Sequence, residues 1–251
     1  MSSERTVAVI PAAGRGDRMG AVGLKKVYLP LGDRPVLAHT LGVFERCPLV
    51  DEVVLAVAPG DEGFCRREVL APFSLKKVTG VIHGGVTRNE TVRLALRYIG
   101  KAASLIVTHD GARPLLPPSL LETAILAGRE CGALVVGLPA KDTIKRVASV
   151  GGQRTAPPGP GAGPAPALRV VETLDRSEVW QIQTPQVFWR DLLDMAFGRA
   201  SPDAVTDDAA LVEAIRHPVL VLPGSEENMK ITTPFDLVLA QAILDRRVKL
   251  S

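Results

Sequence analysis

Val7-Ala8-Val9-Ile10-Pro11-Ala12-Ala13-Gly14-Arg15-Gly16-Asp17-Arg18-Met19-Gly20 is an apolar run that breaks into a loop rich in glycine and arginine and continues to Lys25-Lys26. An apolar run without polar alternation predicts a strand buried on both faces, as in a parallel sheet covered by helices. The loop then emerges at the sheet's carboxyl edge, where open α/β sheets bind ligands. Glycine lets the backbone approach a ligand closely, and Arg15, Arg18, Lys25 and Lys26 supply positive charge for a strongly anionic one. Phosphate is the first candidate.

Two familiar phosphate loops do not fit. A Walker loop needs Gly-Lys followed by Ser or Thr after four intervening residues, and the chain has no such string. A dinucleotide fingerprint opens with Gly14-x-Gly16, but Met19 holds the third glycine's place and Gly20 comes one residue late. Taken alone, the loop reads most simply as a glycine turn with solvated basic residues. The rest of the chain shifts that balance.

Strand and helix patterns alternate outward from this loop, the signature of a doubly wound, mostly parallel α/β sheet. A helix is predicted from about Pro35 to Cys47, a strand over Glu52–Val57, and a short helix over Asp61–Leu70. A strand at Val78–His83 is followed by Gly84-Gly85 and a helix from Asn89 to Ile99. The strand Leu105–Thr108 ends in His109-Asp110-Gly111-Ala112-Arg113-Pro114, and helix Ser119–Cys131 precedes strand Ala133–Leu138. Helices and a strand, Val219–Leu222, resume after Val187.

The pattern fails between Ala148 and Ala167, where Pro157-Pro158-Gly159-Pro160-Gly161-Ala162-Gly163-Pro164-Ala165-Pro166 suits neither helix nor central strand. Its flanks, Thr143–Val147 and Leu168–Leu174, alternate apolar and polar residues and are predicted to pair as a hairpin. The expectation is one domain over residues 1–251 carrying a projecting β-arm at about 141–178, with a disordered tip at 152–167.

At 251 residues the chain has core enough to need no disulfide or structural metal. Cys47, Cys65 and Cys131 form no pair with metal or disulfide spacing, and His39, His83, His109 and His217 are equally scattered. A net charge of +3 with interspersed signs, and only ten aromatic residues (6 Phe, 2 Trp, 2 Tyr), argue against a nucleic-acid surface. No run approaches the ~20 apolar residues of a membrane span, and no signal peptide is evident. A cytoplasmic protein that binds neither nucleic acid nor membrane is expected, with a local anion site.

Three further clusters fall after predicted strands. Asp110 and Arg113 put a carboxylate and a guanidinium at the carboxyl edge, where Asp110 suits magnesium and an Asp–Arg ion pair is the equal alternative. Thr206-Asp207-Asp208 reads readily as a helix N-cap. Lys230, in Asn228-Met229-Lys230-Ile231, precedes the last helix.

In order along the chain, Pro11-Ala12-Ala13-Gly14 with Arg18 and Lys26, Gly84-Gly85 with Arg88, His109 to Pro114, Asp142-Thr143, Asp175-Arg176, Gln183-Thr184-Pro185-Gln186, Thr206-Asp207 and Asn228-Met229-Lys230 resemble the 2-C-methyl-D-erythritol 4-phosphate cytidylyltransferases of non-mevalonate isoprenoid synthesis. The ordered set is far more specific than any one motif. The resemblance implies a nucleotide-diphospho-sugar transferase fold close to glycosyltransferase A, a homodimer built through the arm, and Mg2+ or another divalent cation. It implies that Ala12, Ala13, Gly14, Gly85 and Thr91 frame the cytosine and ribose of CTP, with Pro11 and Arg88 also binding the nucleotide. Arg18 and Lys26 would grip the triphosphate, Asp110 would lie by metal and ribose, and Lys230 would stabilise the α-phosphate. Arg113, Thr184 and Asp207 would face methylerythritol phosphate, with Thr143 and Arg176 reaching in from the neighbouring subunit.

The chain departs from the family pattern in four places, one of them an unusually long proline–glycine tip to the arm. The basic loop is about one residue longer before Lys26, so that Lys25 competes for its role; Thr91 replaces a serine; and Val86 replaces a residue that can be acidic. Ribitol 5-phosphate cytidylyltransferase, a sugar 1-phosphate nucleotidyltransferase and a non-catalytic nucleotide sensor are the rivals. Arg18, Lys26 and Lys230 together argue against a sensor.

Overall fold

The apolar run forms strand β1 (Thr6–Pro11), in which Thr6 to Ile10 are all fully buried because both faces of the strand are covered. Val7 and Val9 enter one apolar cluster while Ala8 and Ile10 enter another, the two-residue alternation of a strand. The computed structural model describes residues 5–14, 24–101, 103–150, 168–199 and 207–250. Arg15, Arg18, Thr206 and the expected tip at 152–167 lie outside the described residues.

After β1 come the short hairpin β2 (Pro30–Leu31) and β3 (Arg34–Pro35), α1 (Val36–Arg46), β4 (Glu52–Val57), α2 (Glu62–Cys65), β5 (Val78–His83), α3 (Arg88–Ile99), β6 (Leu105–Thr108), α4 (Pro118–Cys131) and β7 (Ala133–Pro139). The hairpin β8 (Lys145–Ser149) and β9 (Leu168–Thr173) follows, then β10 (Trp180–Trp189), α5 (Arg190–Arg199), α6 (Asp208–Ala214), β11 (Leu220–Pro223) and α7 (Pro234–Leu250). Seven strands make the main sheet in the order β11-β7-β10-β6-β1-β4-β5. β1 is parallel to both β4 and β6, β4 to β5, and β11 to β7, whereas β10 runs antiparallel to β6. Residues of α1 and α4, such as Phe44 and Leu121, pack with Ala8 and Ile10; residues of α3, α5 and α6, such as Val92, Leu193 and Leu211, pack with Val7 and Val9. The result is the expected α/β sandwich of one sheet between two helical layers.

Three elements differ from the sequence reading. The helix predicted over Asp61–Leu70 is one α-turn, α2, running into a π-type turn over Arg66–Leu70. The β2–β3 hairpin turns at Gly32, whose φ of 62° is left-handed. β10 is the larger difference: its Gln183-Thr184-Pro185-Gln186 stretch, to which the sequence reading assigns no element, lies in a strand whose residues from Gln183 to Phe188 are buried. Pro185 is tolerated there because the ladder with β6 begins only at Gln186.

The chain divides into two compact units, a body of Met1–Gly137 with Gln183–Ser251 and an arm of Leu138–Ile182. In the arm, β8 and β9 pair antiparallel with Val147 opposite Val170 and Ser149 opposite Leu168. Val147, Val170 and Leu168 therefore share one face, and each is about half exposed. No helix among the described residues is long and apolar enough to cross a membrane.

Candidate active site

The chain winds outward from β1 to β4 and β5, then returns to place β6 on the other side of β1. That reversal makes the carboxyl end of β1 and β6 a topological switch point, the place where such sheets form a ligand crevice. The loops leaving the two strands are zipped together beyond the sheet: His109 N–H donates to Val9 C=O (3.0 Å) and Gly111 N–H to Pro11 C=O (3.0 Å). Ala12 N–H donates to Ala56 C=O on the other side (2.7 Å). A Cβ at Gly111 would stand 3.0 Å from the Ala12 methyl, and one at Gly84 would stand 2.5 Å from the Ala13 methyl. Backbone and methyl groups thus make a tight floor with no room for larger side chains.

A cleft opens over this floor. Pro11 to Gly14, Lys26, Gly85 and Thr91 line it, and Arg88, Asp110 and Lys230 bring its charge. Asp110 is the electrostatic centre: Lys230 Nζ lies 2.8 Å from its carboxylate, Arg113 Nε 3.4 Å and Arg88 Nε 3.5 Å. Burial alone would raise the Asp110 pKa, but the attraction of Arg88, Lys230 and Arg113 holds it well below the usual carboxylate range. Arg88 reaches a second carboxylate, with Nη1 2.5 Å from Asp208 Oδ2, which also accepts from the Thr108 hydroxyl at 2.8 Å. Burial opposes the Arg88 charge, and Asp208 with Asp110 more than offsets it, raising its pKa. Three cations against two carboxylates, with Lys26 nearby on the cleft wall, leave a site suited to a polyphosphate.

His109 lies beneath Asp110, fully buried and pushed down to about 3 by that burial, so its ring is neutral. Its partners define the tautomer: Nε2–H faces the Arg113 carbonyl (3.3 Å), leaving Nδ1 to accept from the Thr184 hydroxyl (3.0 Å). The Thr184 oxygen in turn accepts from Asp110 N–H at 3.1 Å. Lys230 is set by its own loop, in which Asn228 donates to Thr184 C=O (2.7 Å) and Ile231 N–H to Ala112 C=O (2.8 Å).

The structure brings most of the residues singled out in the sequence into this one cleft and gives several a more structural position. Lys25 pairs with both oxygens of Asp61 at 2.7 Å, while its neighbour Lys26 lines the cleft. The Thr184 hydroxyl is engaged inside the protein, and Arg113, 8% exposed, donates to Asn228 C=O at 2.7 Å. Asp207 caps α6 through Ala210 N–H (3.1 Å) and accepts from Gln186 at 2.7 Å. Thr91 accepts from Gly85 N–H at 3.0 Å and donates to Thr87 C=O at 2.8 Å. Thr143 and Arg176 belong to the arm, where Arg176 donates to Lys141 C=O at 3.1 Å. Asp208 and Asn228 were not singled out as site residues; a doubled aspartate at a helix start does not say which member faces inward.

Residues 6–246 match the family model for 2-C-methyl-D-erythritol 4-phosphate cytidylyltransferase. The enzyme of that name from Syntrophotalea carbinolica is 45% identical over 240 residues, covering 94% of this chain and 95% of the relative. That from Alkaliphilus metalliredigens is 39% identical over 249 residues, covering 98% and 95%. The crystal structure of 4-diphosphocytidyl-2C-methyl-D-erythritol synthase from Anaerococcus prevotii superposes with a TM-score of 0.77 at 30% identity, covering 96% of each chain.

Proposed function

The chain belongs to the 2-C-methyl-D-erythritol 4-phosphate cytidylyltransferase family, and we propose on that premise that it transfers the cytidylyl group of CTP to 2-C-methyl-D-erythritol 4-phosphate. The products are 4-diphosphocytidyl-2-C-methyl-D-erythritol, an isoprenoid precursor, and pyrophosphate. The observation that carries this reading is the cationic cleft over a small-residue floor at the switch point between β1 and β6.

The acceptor's phosphate is ionised at neutral pH, so its oxygen attacks the α-phosphorus without a protein nucleophile. A new P–O bond forms there as the bond to the bridging oxygen breaks and pyrophosphate leaves. Positioning and charge neutralisation are then the protein's work. Lys230 meets the α-phosphate, Lys26 with Arg18 takes the triphosphate tail, and Arg88 fixes Asp110. Buried His109, neutral with both ring nitrogens engaged, has no proton to exchange with substrate.

Magnesium binds through one or two carboxylates and completes its shell with substrate phosphates and water. Among the described residues no group of three His, Cys, Asp or Glu side chains could cage a metal, while Asp110 is an ionised carboxylate on the cleft wall. That donor set fits magnesium, or another hard divalent cation, held by Asp110. When bound, the ion neutralises charge on the triphosphate and the departing pyrophosphate.

The test is pyrophosphate release across the four nucleoside triphosphates with methylerythritol 4-phosphate or ribitol 5-phosphate as acceptor. CTP with methylerythritol 4-phosphate should lead, and CTP should exceed UTP by roughly 10²-fold or more in kcat/KM. Equal use of UTP, or faster turnover of ribitol 5-phosphate, would overturn the assignment.

The arm suits a second copy of this chain, and a homodimer would let Thr143 and Arg176 reach the partner's acceptor phosphate. The half-exposed Val147, Val170 and Leu168 face supports an interface there. Val170→Asp should raise the dimer dissociation constant by about tenfold or more, since a carboxylate would be left unpaired in apolar contact. Analytical ultracentrifugation reads this; an unchanged dimer would place the interface elsewhere.

A further inference from the structure

The loop between β5 and α3 carries a hydrogen-bonding bias. Gly84 N–H donates to Val57 C=O at 2.7 Å, Gly85 N–H to Thr91 Oγ1 at 3.0 Å, and Val86 N–H to Glu90 Oε2 at 2.7 Å. Three successive main-chain donors are therefore taken by the protein itself. The carbonyl oxygens are what this segment has left to offer, and Gly85 and Val86 line the cleft. Peptide planarity adds a direction: Val86 N–H and Gly85 C=O belong to one planar trans unit and point opposite ways. Glu90, by drawing that N–H toward α3, turns the Gly85 carbonyl away from itself. Thr91 does the same for the Gly84 carbonyl.

Cytosine and uracil differ at this level. Cytosine presents an exocyclic amine, a donor, where uracil presents a carbonyl, an acceptor. A Gly84–Val86 segment whose three N–H groups are already taken meets the base with its carbonyls, which complete a hydrogen bond to the amine and set oxygen against oxygen for uracil. Glycine at 84 and 85 makes the peptide units easy to turn over, so the bias needs an anchor. We propose that Glu90, a residue outside the phosphate chemistry, is a specificity-determining positioning residue: its carboxylate locks the Gly85–Val86 peptide in the acceptor-outward orientation and so enforces CTP over UTP. This rests on the proposed use of CTP.

Glu90 is exposed in the first turn of α3, so substitution leaves the fold intact. The experiment compares kcat/KM for CTP and UTP in the wild type, Glu90→Ala and Glu90→Gln, with melting temperatures measured alongside. Glu90→Ala frees Val86 N–H, and the CTP-to-UTP ratio should narrow by about tenfold or more, chiefly through gained UTP turnover. Glu90→Gln keeps a side-chain oxygen for that N–H and should retain most of the discrimination. If the wild type prefers CTP and Glu90→Ala keeps the same ratio, including by losing both activities equally, the proposal is overturned while the CTP assignment stands. A wild type indifferent between CTP and UTP sinks both together.

Discussion

Lys230→Ala should lower kcat by roughly 10²- to 10³-fold while the KM for CTP moves by less than about threefold. The reason lies in where its charge acts. Lys230 Nζ sits 2.8 Å from Asp110 on the cleft wall, with 39% of its side chain exposed, so it can turn from the carboxylate to an incoming α-phosphate. Negative charge on that phosphate's oxygens grows as the acceptor attacks, and an ammonium ion already in place stabilises the transition state more than the bound nucleotide. On the proposed mechanism, ground-state binding rests mainly on the floor and on Lys26. Steady-state kinetics with saturating acceptor separates the two parameters. A near-normal kcat would leave Lys230 as nothing more than a counter-ion for Asp110, and a rise in KM alone would make it a ground-state binding group.

Asp208→Ala should cost roughly 3 kcal/mol of folding stability, a fall in melting temperature of roughly 10 °C. Asp208 is fully buried, and its carboxylate holds both Arg88 and the Thr108 hydroxyl. Removing it leaves a buried guanidinium with less than full compensation. The loss falls at the low end for a broken buried pair because Arg88 keeps Asp110 and about 21% of its side chain reaches solvent. Asp208→Asn retains an acceptor and should lose about half as much. Urea and thermal unfolding measure both variants. An alanine variant within about 1 kcal/mol of wild type would show that water replaces the carboxylate without penalty. Activity should fall too, since Arg88 released from Asp208 is free to close on Asp110 and compete with whatever that carboxylate binds.

The parts of the fold legible in the sequence are those written in apolar periodicity. β1, β4 and β6 are nearly uninterrupted apolar runs, and α1 and α3 carry one apolar face, so both kinds declare themselves locally. β10 did not, because a strand that lies beside the site carries the site's polar groups. Gln183, Thr184 and Gln186 are buried by hydrogen bonds to Ser225, Asp110, His109 and Asp207, and none of those partners is near in sequence. The β2–β3 hairpin has two residues per strand and leaves no period to detect.

By itself the sequence determined the mostly parallel α/β sheet, the position of the Pro11–Gly14 turn at its carboxyl edge, and the residue types that polyphosphate chemistry needs, because these follow from local periodicity and side-chain charge. Tertiary structure alone decided how those residues divide their work. Lys25 and Lys26 are adjacent and chemically alike, yet Asp61, 36 residues on, claims the first and the cleft takes the second. Asp207 and Asp208 are also neighbours, and only the placement of α6 beside β6 makes one a helix cap and the other the buried partner of Arg88, 120 residues away. Such choices depend on which charges the fold brings within a few ångströms in a poorly solvated place, where Coulombic attraction is strong. Sequence separation carries no record of that distance.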